Sequence, residues 1–214
     1  MRRAASNLTL AVAVLMLPAM SATAASDCRD AVETAFSKQR AAKSYRFSAE
    51  IPSPEGATRM TIDYLQPDRM YQKVEAPGHP KPVETIAIGR WAWGTMGGGW
   101  EELQPQFAQS IIAHVRDTLV DPPKITASFT CLGEVSVDGQ TYLGYRSSET
   151  ASVDANAPPL ARTVYVDAKS GLPVRNIVQR ADAKEPPVFD GRYSYPGDIA
   201  IEAPVGGHDT TTRQ

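Results

Sequence analysis

Cysteine and histidine are scarce, with two of the first and three of the second among 214 residues. Two cysteines cannot build a four-thiolate zinc site or a multi-bridge disulfide framework. The histidines, His79, His114 and His208, are scattered along the chain without metal-ligand spacing. A positive surplus is missing as well: 22 Lys and Arg face 24 Asp and Glu, a formal net charge of −2. That balance argues against nucleic acid or an anionic membrane surface as partner. No G-x-S-x-G, H-E-x-x-H or P-loop occurs, so the usual nucleophile, zinc and phosphate sites are not encoded. The glycine-rich stretch 94–99 lies between strand patterns with no helix behind it, and reads as a hairpin turn rather than a phosphate cradle. His114 has no catalytic partner nearby in sequence and reads as a partly buried structural residue. The chain is therefore expected to be non-enzymatic and to need no metal or cofactor.

Long apolar runs are absent except at the start. Residues 8–17 (LTLAVAVLML) are apolar apart from Thr9, far short of the roughly 20 residues that cross a bilayer. Arg2 and Arg3 precede this run, Pro18 follows it, and Ala22-Thr23-Ala24 has an A-x-A cleavage pattern. This three-part pattern is that of a secretory signal. It predicts a signal peptide over 1–24, a single domain over 25–205 and a polar tail over 206–214. No transmembrane segment is expected after cleavage.

What the chain does have is 17 Pro and 15 Gly, the punctuation of a turn-rich, mainly β protein. Cys28, Val32 and Phe36 recur at every fourth position and predict a helix over 27–43. From residue 44 the period changes to two. Strands are expected over 45–51, 58–65, 69–75, 83–88, 91–93 and 100–103, joined by local turns. Phe107, Ile111, Val115 and Leu119 mark a second helix over 105–120, opened by Pro105. Alternation then resumes over 125–137, where the odd positions, Cys131, Val135 and Val137 among them, share an apolar face. Asp138-Gly139 is a hairpin signal. Strands follow over 140–148, 162–166 and 174–180, with a short last pairing through Tyr193 and 199–201. Two helices must cover one long sheet, which predicts an α+β fold in which a curved antiparallel sheet holds both on its concave side.

Export bears on the cysteines. In an oxidising compartment Cys28 and Cys131 are expected to form a disulfide. The helical and strand periods each place one of them on a buried face.

Three local patterns and the order of elements carry a resemblance. They are Tyr64-Leu65-Gln66-Pro67-Asp68-Arg69-Met70, the hairpin from Ile86 to Trp93, and Val164-Tyr165-Val166-Asp167 followed by Gly171-Leu172-Pro173. Together they resemble the periplasmic lipoprotein-carrier superfamily of Gram-negative bacteria, the LolA/LolB-like fold. Gln66 and Ile88 stand where dedicated carriers tend to have Arg and Asp. The resemblance implies a half-barrel of about eleven strands in a periplasmic protein.

A half-barrel with two short helices has more concave surface than the helices fill. The candidate lining is Met60, Ile62, Tyr64, Met70, Val74, Ile86, Ile88, Trp91 and Trp93 from the sheet. Phe107, Ile111 and Val115 would come from the second helix, acting as a lid. Core packing and ligand contact both remain open for these twelve. The expected function is non-catalytic binding of a hydrophobic ligand, such as a lipid or a lipoprotein acyl chain. The alternative is a protein-interaction or sensor module that meets an envelope partner through a strand edge or the Pro-rich loop 76–82.

Overall fold

The computed structural model describes residues 25–95, 98–150, 158–182 and 186–205. The signal segment 1–24 and most of the tail lie outside the described residues. Helix α1 (Ala25–Ala41) leads into β1 (Ser44–Ser53), β2 (Gly56–Leu65), β3 (Arg69–Glu75), β4 (Val83–Ile88), β5 (Trp91–Thr95) and the short β6 (Glu101–Glu102). Helix α2 (Pro105–Leu119) precedes β7 (Phe129–Val137), β8 (Gln140–Ser147), β9 (Leu160–Val166), β10 (Pro173–Arg180) and β11 (Phe189–Ser194). All eleven strands form one antiparallel sheet in the order β6-β5-β4-β3-β2-β1-β11-β10-β9-β8-β7. It consists of two meanders, β1 to β6 and β7 to β11, joined where β1 pairs with β11. The α+β half-barrel is the expected one. Helix α2 packs over β4 and β5, and α1 over the β7–β10 half.

Register fixes which side chains look inward, because cross-strand partners share a face. One row runs Tyr45, Tyr64, Met70, Ala87, Ala92 across β1 to β5. All five are buried against Val115 and Leu119 of α2. The neighbouring row, Asp63, Tyr71, Ile86, Trp93, therefore faces outward. There Ile86, Ile88 and Trp93 pack with Ile201, and Trp91 and Ile199 lean on the same cluster. This corrects two expectations. Segment 199–201 is not a strand; it covers the outer face, where Arg69 donates to the Ile201 carbonyl at 2.7 Å. Trp91 and Trp93 also do not face the concavity. The inward positions of β4 and β5 include the small Ala87, Ala92 and Gly94, which let a helix lie close to the sheet.

An aromatic band crosses the seam between the meanders. Tyr45 stacks on Tyr64 at 4.8 Å, Phe47 on Phe189 at 6.0 Å, and Phe36 of α1 meets Tyr193 edge-on at 6.2 Å. Gly191 sits opposite Ala49 in this band. A Cβ there would lie 2.5 Å from one ring carbon of Phe47 and 3.1 Å from Phe189. The Phe47 ring already packs on Phe189 and Tyr193, so Gly191→Ala is expected to lower stability by about 1–3 kcal/mol through overpacking. Urea unfolding measures this, and a loss under about 0.5 kcal/mol would show that the ring repacks freely.

Burial also pushes the Tyr45 and Tyr64 phenols well above the ordinary tyrosine range. Unfolded, these groups ionise near pH 10; folded, they keep their protons. Above pH 10 the unfolded state thus binds fewer protons. Stability that is complete below pH 10 then falls by up to about 1.4 kcal/mol per pH unit for each group. Alkaline titration followed by phenolate absorbance and circular dichroism should show cooperative unfolding above pH 10. Independent ionisation of all eight tyrosines near pH 10 with the fold intact would contradict it.

Strand β7 differs from its expected form in two ways. It begins at Phe129 rather than 125, after an extended segment, and its register with β8 shifts between Cys131 and Gly133. Gly133 takes φ +73° at that bulge. Beyond it Glu134 pairs with Leu143 on the inner face, while Val135 turns to the outer one beside Gly144. Val135 and Val137 therefore do not share a face with Cys131. Cys131 is itself exposed on this edge strand, although it joins the fully buried Cys28 in a disulfide with Cα atoms 5.5 Å apart. The pairing is as expected, but the burial of Cys131 is not.

Candidate ligand-binding site

The two halves of the concavity differ. Under α2 it is filled: Met70, Ile62 and Tyr64 are buried, and Met60 and Ile111 pack against them. Val115 is 3% exposed and belongs to the same core. Val74 lies on this inner face as the partner of Met60. Phe107, one turn from the start of α2, is 59% exposed and takes no part in the core. His114 is exposed rather than partly buried, and its Nε2 lies 2.9 Å from the Tyr64 hydroxyl.

Under α1 a core of Val32, Ala35, Phe129 and Val164 is also buried, but the space beside it is open. A cavity of about 610 Å³ lies between α1, the extended segment 123–127 and the inner face of β7 to β10. Val32 and Phe36 form its helical wall, Ile125 and Ala127 its flank, and Phe129, Leu160, Val164 and Val178 its floor. That volume falls within the range of small-ligand sites. Helix α1 is packed along its length through Val32 and Ala35 and tied at both ends, and the cavity lies to the side of that packing. At one end are the disulfide and a hydrogen bond from Arg29 Nε to the Ala127 carbonyl at 3.0 Å. At the other, Gln66 donates to the Arg40 carbonyl at 2.6 Å, and Gln39 reaches the Tyr195 hydroxyl at 3.4 Å. Tyr195 in turn donates to the Pro173 carbonyl at 2.7 Å. Gln66 thus serves as a latch between the β2–β3 hairpin and α1.

A second hollow of about 530 Å³ lies over β11, β1 and β2. Glu50, Glu75 and Asp190 border it together with Arg59 and Arg192. That mixture of charges does not suit an apolar guest. Among the described residues no three His, Cys, Asp or Glu side chains group to hold a metal ion. No described helix is long and apolar enough to cross a membrane.

No known protein-family model matches the chain, and no curated protein matches it in sequence. Solved structures do match. The lipoprotein LppX of Mycobacterium tuberculosis superposes with a TM-score of 0.55 at 12% identity, over 84% of this chain and 100% of that one. LprF from Mycobacterium bovis gives 0.54 at 14% identity, over 84% and 97%. The chain shares the fold of these two proteins. In this half-barrel, eight of the twelve sequence-selected residues share the α2-side face or α2 itself. The other four, Ile86, Ile88, Trp91 and Trp93, belong to the outer cluster. The residues around the open cavity were missed as a site. The signal for two of them was present in the period that placed Val32 and Phe36 on the buried stripe of the first helix.

Proposed function

We propose that the protein binds a hydrophobic ligand without chemistry, in the cavity between α1 and strands β7 to β10. The observation that carries this reading is the apolar wall of a 610 Å³ space left open beside a filled core. An acyl chain laid along the half-buried Phe36, Ile125, Leu160 and Val178 leaves water at about 0.8 kcal/mol per CH₂, offset by the cost of ordering it. The signal-like segment 1–24 supports export, cleavage after Ala24 and a periplasmic location, where lipids and lipoprotein acyl groups need shielding from water.

Native mass spectrometry of protein purified from the periplasm, with organic extraction, tests this. A co-purifying lipid or other apolar molecule is the expected result. A clean mass with no uptake of added phospholipid or acylated peptide would overturn the reading. That outcome would favour a protein-interaction module. Its observation is the outer edge of β7, where Leu132 is 43% exposed and no described strand pairs, leaving the edge to a partner strand.

A further inference from the structure

The charge around the cavity is one-sided. Its described lining contains two charged side chains, Lys124 and Arg162, and no carboxylate. Neither has an ion-pair partner among the described residues. Arginines elsewhere on the sheet are engaged differently. Arg46 grips Asp63 through two hydrogen bonds of 2.6 and 2.8 Å, and Arg175 grips Asp190 through two of 2.7 and 2.5 Å. Arg192 reaches Asp138 at 3.1 Å. The second hollow balances its arginines with three carboxylates. A cationic rim is thus not a property of the surface at large, since acidic residues outnumber basic ones over the whole chain.

The position of Arg162 is set by the sheet. It pairs with Val178, which lines the cavity, and its backbone N–H donates to Ser147 Oγ at 3.0 Å. Sharing a face with Val178 and lining the cavity, Arg162 stands on the inner side of the sheet. Lys124 enters from the opposite wall, in the segment that follows Pro122-Pro123. A guanidinium recognises carboxylates and phosphates through paired donors, and an ammonium adds a point charge.

We infer that the ligand is an anionic amphiphile, its carboxylate or phosphate held between Lys124 and Arg162 and its apolar chain under α1. This rests on the hydrophobic-ligand reading above and names the class of guest that reading leaves open. Isothermal titration of ligand-stripped protein with dodecanoate, dodecyl phosphate, dodecanol and dodecyltrimethylammonium tests it. Both anions should bind about tenfold or more tighter than dodecanol, as expected for a charge-assisted pair, and the cation weakest. A preference for one anion over the other identifies the head group. Raising the salt should shrink the advantage. The double variant Lys124→Gln/Arg162→Gln should bind the anions no tighter than dodecanol; both positions are exposed, and a thermal melt checks that it folds. Equal binding of anions and dodecanol by the wild type, or an advantage that survives in the folded double variant, overturns the anionic class but leaves apolar binding intact. No binding of any of the four overturns the hydrophobic-ligand reading itself.

Discussion

Cys131→Ser is expected to destabilise the protein by about 4–5 kcal/mol, the chain-entropy value for a bridge closing a loop of roughly 100 residues. The two cysteines are 103 residues apart. For a domain of this size each kcal/mol moves Tm by about 2–4 °C, so the melt should fall by about 10–20 °C. Cys131 is the better partner to replace because it is exposed, and a serine hydroxyl there meets water. Cys28→Ser should be worse by a further 1–3 kcal/mol or so, since it places an unpartnered hydroxyl at a site that is 0% exposed beside Val32 and Phe129. That difference separates the cross-link from the packing around it. Equal losses in the two variants would show that the buried site relaxes. A loss below about 1 kcal/mol in either would show that the bridge adds little beyond the contacts of α1. The bridge should also bear on function, because it ties the start of α1 to the outermost strand of its half of the sheet. Among the described residues that strand has a neighbour on one side only. Losing the bridge should therefore speed ligand release as well as lower Tm.

Much of this architecture could be read from residue order. Strands β3 and β4 occupy the expected 69–75 and 83–88, and α2 ends one residue before its expected limit. These segments have a single clear period and are bounded by Pro, Gly or Asp. What could not be read was the direction in which two-faced strands point. Ile86-Ala87-Ile88 and Trp91-Ala92-Trp93 are apolar on both sides, and alternation alone does not say which side meets a helix. The large residues suggested a lining for the concavity. The structure places the small ones there, because α2 approaches closely, and covers the large ones with 199–203. A similar loss occurs in β7. The period of two is exact from Phe129 to Cys131, but the bulge at Leu132 inverts it, and a single glycine in a strand does not announce whether it bends the chain or merely interrupts the pattern. The cavity was hidden for another reason. It lies between α1, the segment 123–127 and strands β7 to β10, elements distant from one another in sequence.

Val178→Trp is expected to abolish most ligand binding while leaving the fold intact. Val178 is half-buried on the cavity floor, across from Arg162 and outside the three core clusters. An indole there projects into space rather than into packed neighbours. If it displaces about four methylenes of an acyl chain, the loss is roughly 3 kcal/mol, or about a hundredfold in Kd. Tm should hold or rise, because filling a void restores contacts that the empty wall lacks. The comparison is Phe107→Ala. Phe107 lies on the exposed face of the other helix, and its replacement should leave both affinity and release rate unchanged. The pair of variants distinguishes the two ends of the half-barrel as ligand sites. Loss of binding in Val178→Trp with none in Phe107→Ala places the ligand under α1. The reverse pattern would return it to the α2 side, where it would have to displace a core that is already closed around Met70, Val115 and Leu119. A site under α2 would then predict that saturating ligand loosens α2 and speeds hydrogen exchange there. A site under α1 predicts slower exchange in α1 and in the segment 123–127, the two walls that the ligand would hold together.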